Sequence, residues 1–267
     1  MLANAGAAPV AYWSFDIDAR DAGTFHNGTL VGDAAITTGN QGFGGSGEAL
    51  AISGGSAHMS AGNPTALDFN SDFTWHAYIK TSDGSGAIFS RNPAGTAWNQ
   101  GSKALFVRGN NVQWDTGWVG APGTGTAVND GQWHQVIATY DAGSDQLNIF
   151  IDPVAGATAG QYSGTHNVNS FDESGSHNGG SANTSFTIGQ ADFSGGLANL
   201  DMLEGLIDEA AVFDSALAGA DLDQLITQGP ASFFGPVDPP DPTGDHPFIS
   251  EFVAVGNDNH QDGDGDT

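Results

Sequence analysis

A chain of 267 residues with 31 Asp and Glu against five Lys and Arg has a formal net charge of −26. It repels nucleic acid and anionic lipid, so neither is expected as a partner. The absence of cysteine removes a disulfide framework, a thiolate metal site and a Cys nucleophile. No apolar run reaches the roughly 18 residues of a membrane-spanning helix, so no membrane insertion is expected. Glutamate is confined to Glu48, Glu173, Glu204, Glu209 and Glu251, and the dominance of Asp and Gly favours tight turns and oxygen-rich cation sites.

Residues 1–9 read as a flexible N-terminus. Met1 to Ala8 has no basic start and is too short for a signal peptide, so it reads as the tail of one or as the plain start of the chain. Val10 to Phe15 is a first strand, and Asp16 to Asp21 an acidic turn. Thr29 to Val31, Ala49 to Ile52 and His58 to Ser60 are short strands, with a glycine-rich loop over Gly39 to Gly47. Phe73 to Lys80 alternates, which sends Phe73, Trp75, Ala77 and Ile79 to one face as core. Ala87 to Ser90 and Ala104 to Val107 continue the sheet. A turn at Asn110-Asn111 leads to Val112–Trp114.

The stretch Gly131 to Asp152 is the centre of the pattern. Trp133 to Tyr140 places Trp133, Gln135, Ile137 and Thr139 on one face and His134, Val136, Ala138 and Tyr140 on the other. A turn over Asp141 to Asp145, with Gly143 free to take a positive φ, returns into Leu147 to Ile151. Gly164 to Asn183 is polar and aperiodic, the signature of a long binding or disordered loop. Phe186 to Gly189 and Gly205 to Phe213 are the last strands. A short helix over Ala220 to Ile226 carries Leu222, Leu225 and Ile226 on one side and stops at Gly229-Pro230. Residues 233–247 form a stiff Pro/Asp-rich linker, with five prolines between Pro236 and Pro247. Residues 248–267 are either the start of a second module or an acidic tail.

Three of these stretches carry a resemblance. Gly131-Gln132-Trp133-His134 through Thr139-Tyr140-Asp141, Gly205-Leu206-Ile207-Asp208-Glu209 through Phe213, and Tyr12-Trp13-Ser14-Phe15-Asp16 resemble the central hairpin, last strand and first strand of a laminin-G-like domain. The resemblance implies an all-β fold over residues 10–232, a jelly-roll sandwich of two antiparallel sheets of the concanavalin A-like type. One such sandwich hosts many activities. Phe248-Ile249-Ser250-Glu251-Phe252, followed by the acids from Asp258 to Asp266, resembles the opening of a lamin-tail-type domain. That implies a second domain and further domains of the same polypeptide.

No Gly-x-Ser-x-Gly elbow, His-Glu-x-x-His helix or phosphate-binding loop is present. Asp208 and Glu209 are neighbours in a strand and are expected on opposite faces, so they would not flank one glycosidic bond. An enzyme is therefore not expected. Family resemblance implies a structural Ca²⁺ where the first and last strands meet, with Asp208, Asp16, Asp18 and Asn27 as its oxygen ligands. The rival reading is that Asp208 only satisfies backbone donors. For the Asp262-Gly263-Asp264-Gly265-Asp266 run, a solvated tail is preferred to a calcium loop, because it lacks the EF-hand's Gly at position 6 and Glu at position 12. Trp98-Asn99-Gln100 and Trp114-Asp115-Thr116-Gly117-Trp118 set aromatic rings beside amide and carboxyl groups, the chemistry that stacks on a sugar and takes its hydroxyls. Trp98, Asn99, Trp114, Asp115 and Trp118 are the candidate ligand-binding residues, joined by the His166 to Asn183 loop, with the core as a rival place for Trp114. Trp13, Trp75 and Trp133 are assigned to the core. The expectation is a non-catalytic, calcium-stabilised carbohydrate-binding module of a secreted or cell-surface protein, with an extracellular glycan as ligand. A protein-binding adhesion or spacer domain is the alternative, and a glycoside hydrolase or polysaccharide lyase the third reading.

Overall fold

The computed structural model describes residues 8–23, 26–54, 56–67, 69–93, 98, 100–169, 184–191 and 202–234. The strands in chain order are β1 (Ala11–Trp13), β2 (Thr29–Val31), β3 (Ala35–Ile36), β4 (Leu50–Ile52), β5 (His58–Ser60), β6 (Phe73–Thr81), β7 (Ser85–Pro93) and β8 (Lys103–Arg108). They continue with β9 (Asn111–Thr116), β10 (Gly123–Ala127), β11 (Trp133–Asp141), β12 (Gln146–Ile151), β13 (Tyr162–Thr165), β14 (Thr184–Ile188) and β15 (Gly205–Phe213). One α-helix among the described residues, α1 (Gly219–Gln228), follows. An eight-stranded sheet runs β13-β12-β11-β6-β15-β4-β3, with β1 also on β15. A seven-stranded sheet runs β10-β9-β8-β7-β14-β5-β2. The pairings are antiparallel throughout the central ladders, and the expected jelly-roll sandwich is what forms.

Strand alternation explains which side chains meet between the sheets. β6 turns Phe73, Trp75, Ala77 and Ile79 inward. They face Phe89, Leu105, Trp114 and Phe186 of the other sheet. Trp75 is the hub: its ring centroid lies 4.7–5.6 Å from those of Phe69, Phe73, Phe89, Trp114 and Phe186. Truncating such a ring removes both its apolar burial and its edge-to-face contacts, which costs roughly 3–5 kcal/mol.

A second, smaller apolar layer lies on the outside of the eight-stranded sheet. Leu222, Leu225 and Ile226 share one side of α1 and pack on Tyr12, Ile137, Phe150, Ala211 and Phe213. The helix ends at Gly229, whose φ of 73° suits a residue without Cβ and whose N–H donates to Leu225 O at 3.1 Å.

Local details differ from the sequence reading. The β8–β9 turn is Gly109-Asn110, with φ of 58° and 71°, because Arg108 pairs with Asn111 and leaves two residues between the strands. In the central hairpin the positive φ belongs to Asp145 (54°) instead of Gly143. Asp145 is held there by the Tyr140 hydroxyl, which donates to its Oδ1 at 2.7 Å. Trp133 is half-buried on the outer face of its sheet, where its ring meets Phe43 edge-on, and is not core. β3, β10 and β13 form from segments with little apolar alternation, held by their neighbours. The compact unit ends at Phe234. The linker from 235 onward and the strand-like and acidic segments of 248–267 lie outside the described residues.

Candidate functional site

Two places collect the candidate side chains. The first is one end of the seven-stranded sheet. On β9, Val112, Trp114 and Thr116 point inward, so Asn111, Gln113 and Asp115 point outward. Asp115 stands opposite Ala104 and Gln113 opposite Phe106, and the Arg108 guanidinium lies 5.0 Å from the Phe106 ring centroid. Burial raises the Asp115 carboxyl to about 6, against a smaller opposing pull from Arg108. Trp98 is half-buried against Ala87, Ala104, Phe106 and Ala191 on this outer face. Trp118 is 76% exposed and holds a φ of 70°, rare for a bulky residue. Its turn is tight: the N–H groups of Val119 and Gly120 both donate to Thr116 O, at 2.8 and 3.2 Å. The loop carrying Trp98 is tied to that turn, because Gly101 N–H donates to Gly117 O at 3.1 Å and Gly117 N–H to Ser102 O at 2.8 Å.

The structure thus brings the loops of Trp98 and Trp118 together, with Asp115 on the adjoining sheet face. Trp114 is corrected to core. It is 0% exposed, its ring lies 5.1 Å from Phe73 and 4.7 Å from Trp75, and its indole N–H donates to Thr116 Oγ1 at 2.8 Å. Asn99 lies outside the described residues, as do residues 170–183 of the expected binding loop. His166, at the start of that loop, is buried, and burial lowers its pKa.

The second place is where β1 and β15 meet. Asp16, Phe43, Ser46, Tyr78, Asp208 and Glu209 line an open cleft of about 350 Å³ beside the C-terminal end of α1. Asp208 and Glu209 do not fall on opposite faces. The β15–β6 register shifts between Asp208 and Ala211, and Glu209 takes a φ of 52°, so a β-bulge turns both carboxyls into the same cleft. Asp208 is 4% exposed. Its Oδ2 accepts from Phe43 N–H at 2.6 Å and its Oδ1 from Glu209 N–H at 2.9 Å, so it does satisfy backbone donors. Burial, with the charges of Glu209 and Asp16 added, pushes Asp208 up to about 7. Burial also raises Glu209, while the Tyr12 hydroxyl, donating to Oε2 at 2.6 Å, holds it down. Phe43 stacks on Tyr78 with centroids 3.6 Å apart and forms one wall.

The expected calcium ligands divide. Asp16 and Asp208 share the cleft. Asp18 does not join them: it pairs with Arg20 at 2.6 Å on the surface. Asn27 is also elsewhere, its amide oxygen accepting from Asp21 N–H at 3.1 Å. The buried acid of that first loop is Asp21, which accepts from the N–H groups of Tyr12, Gly23 and His26 at 2.9–3.0 Å. Among the described residues no three His, Asp or Glu side chains converge as a metal's ligands would. Main-chain oxygen makes up part of the difference. A Cβ on Gly42 would run into the carbonyl oxygens of Ser46 and Glu48 and Asp208 Oδ2, and one on Gly47 into Asp16 Oδ1. That oxygen-rich cradle fits a hard cation better than the four side chains read from the sequence. Strand alternation sets Glu209 apart from Asp208 because nothing in the local sequence marks the bulge, and Phe43 and Tyr78 reach the cleft from distant segments.

A family model described as the Concanavalin A-like lectin/glucanases superfamily matches residues 53–223. No curated protein matches the chain. Among solved structures the chain is similar to domain 4 of AbnA, a GH43 extracellular arabinanase from Geobacillus stearothermophilus, in complex with arabinotriose. The TM-score is 0.57 at 21% identity, over 83% of this chain and 99% of that one. It is similar to Trypanosoma rangeli sialidase, with a TM-score of 0.53 at 14% identity, over 82% of this chain and 32% of that one. It is similar too to the receptor binding domain of botulinum neurotoxin mosaic serotype C/D, with a TM-score of 0.52 at 12% identity, over 82% of this chain and 50% of that one. At these identities the likeness is one of fold.

Proposed function

Because the chain belongs to the concanavalin A-like lectin/glucanase superfamily, we propose that it is a non-catalytic carbohydrate-binding module of a secreted or cell-surface protein. The observation that carries this reading is Trp118. An indole 76% exposed on a turn that forces a positive φ is held out of the fold against the hydrophobic effect. A flat apolar ring in that position suits the C–H face of a sugar. Asp115, on the adjoining face, supplies an acceptor for hydroxyl groups. The fold likeness to an arabinanase domain solved with arabinotriose, itself part of an extracellular enzyme, supports the class of ligand and the setting. It makes arabino-oligosaccharides the first probes, ahead of a broad glycan panel. Calorimetric titration is expected to find a glycan whose affinity falls about tenfold or more in Trp118→Ala, with little change in melting temperature. Silence across the panel, or binding indifferent to Trp118, would overturn the reading.

Calcium belongs to the same proposal, at the meeting of β1 and β15. Asp16 and Asp208 would hold it, with main-chain oxygens of the 42–48 loop completing the six to eight that Ca²⁺ takes. The ion would offset the mutual repulsion of carboxylates gathered in one cleft. A cation that binds only the folded chain at about 100 times its dissociation constant adds roughly 2.7 kcal/mol. A melt in excess Ca²⁺ is therefore expected to exceed one in chelator by several degrees in the wild type and not in Asp16→Asn. Identical midpoints in the wild type would remove the ion.

A further inference from the structure

The outer face of the eight-stranded sheet is only partly covered. α1 lies over the row formed by Ile137 and Phe150. Beyond the start of the helix, two rows of polar side chains run across β11, β12 and β13. Thr139, Asn148 and Ser163 stand directly opposite one another, and so do Asp141, Gln146 and Thr165. The helix begins after Ala218, which offers no side-chain cap, so its first N–H groups are left for another acceptor. On the far side, the loop through Ala157 and Thr158 is fastened to the helix by Gly156 N–H donating to Asp223 Oδ1 at 2.6 Å. The result is a concave site of about 250 Å³, floored by Phe150, Leu217 and Leu222 and walled by amide and hydroxyl groups. It sits at the opposite end of α1 from the carboxylate cleft.

Thr139 is 5% exposed and lines this site. Its hydroxyl accepts a long contact from Asn148 Nδ2 at 3.5 Å, and its own proton meets no acceptor among the described residues. Asn148 beside it is half-buried and also lines the site.

We propose that this groove is a second saccharide subsite, separate from the Trp118 surface, and that it takes one neutral sugar ring. The chemistry selects it. Amide and hydroxyl groups that both donate and accept match the hydroxyls of a pyranose or furanose, and the apolar floor matches its C–H face. Asp141 in its lining, Asp221 in the first turn of α1 and the net charge of −26 disfavour an anionic ligand. The volume falls below the roughly 300–1,000 Å³ of sites for drug-sized molecules, which fits one ring and not a chain.

The inference rests on the carbohydrate reading for its ligand class but not for its site, and its test keeps the two apart. The full chain, ¹⁵N-labelled, is titrated with neutral monosaccharides and with glucuronate, in the wild type and in Trp118→Ala. The expected result is saturable shifts of the Asn148 and Gln146 side-chain amides and of the Gly219–Asp221 backbone amides, with neutral sugars, in both proteins. Asn148→Leu and, separately, Thr139→Val should each weaken binding about tenfold, read on the Gln146 side-chain amide and the Gly219–Asp221 backbone amides, while leaving the Trp118 indole response intact. Groove amides that do not respond to any neutral sugar at millimolar concentration would overturn the inference, whether or not the Trp118 indole responds. A response to glucuronate alone, or one abolished by Trp118→Ala, would also overturn it.

Discussion

His134 shows how much one side chain can depend on the carboxylates around it. Its Nδ1 meets Asp152 Oδ2 at 2.7 Å and its Nε2 meets Asp130 Oδ1 at 3.1 Å. Burial pulls its pKa down, but the two carboxylates outweigh burial and raise it overall. A raised pKa favours the folded state wherever the imidazole is charged. That stability is fully present below the ordinary histidine value of about 6.5 and is lost as pH rises through the folded-state value. Stepping from pH 6 to pH 8.5 should therefore lower the melting temperature of the wild type more than that of His134→Gln. Parallel curves for the two proteins would show that the contacts carry no net charge coupling. The same scale explains one misreading. Asp208 and Glu209 belong on opposite faces by strand alternation, and the single positive φ at Glu209 cancels that rule.

At the scale of elements, α1 is fixed to the sheet by a polar thread inside its apolar seat. Gln135 Nε2 donates to Leu225 O at 3.3 Å and faces His76 Nε2 at 3.1 Å, while His76 Nδ1 faces Glu209 O at 2.9 Å. A carbonyl only accepts and an amide nitrogen only donates, so His76 must be neutral, with its proton on Nδ1. Burial drives its pKa down to about 4, against the Glu209 carbonyl bond that favours the charged form. With the folded-state value depressed, the stability is present above about pH 6.5 and is lost as pH falls toward 4, on the order of 3 kcal/mol in all. Urea unfolding across that window should show the loss in the wild type and a flatter dependence in His76→Gln. An equal slope in both would mean that the thread does not hold the helix. The hydrophobic side of the helix was legible, since Leu222, Leu225 and Ile226 fall at helical spacing. Its seat on Ile137 and Phe150 was not, because outward residues of a strand do not declare what covers them.

For the whole molecule, a net charge of −26 sets the terms. Repulsion among exposed carboxylates reaches across the domain at low ionic strength and is cut to about 8 Å at physiological salt. Raising NaCl from about 0.01 M to about 0.15 M in the presence of chelator should raise the melting temperature. A midpoint that does not move would mean that the carboxylates are already compensated within the fold.

Legible in the sequence were the jelly-roll class, through three stretches that resemble a laminin-G-like domain, the inward set of β6, and the strongly acidic surface, whereas the inward face of β11 was not, since Trp133 lies on the outer one. The β6 set and the surface are matters of period-two alternation and composition, which survive whatever the neighbours do. Which tryptophan faces solvent and which carboxylates meet is set by contacts between distant segments. Trp114 and Trp118 sit four residues apart in the same Asp- and Gly-containing run, yet one stacks on Phe73 inside the core and the other stands on a positive-φ turn. Asp16, Phe43 and Asp208 come from three distant segments and share a cleft. Such meetings depend on strand register, on one bulge and on the path of loops between sheets, and none of these leaves a periodic mark along the chain.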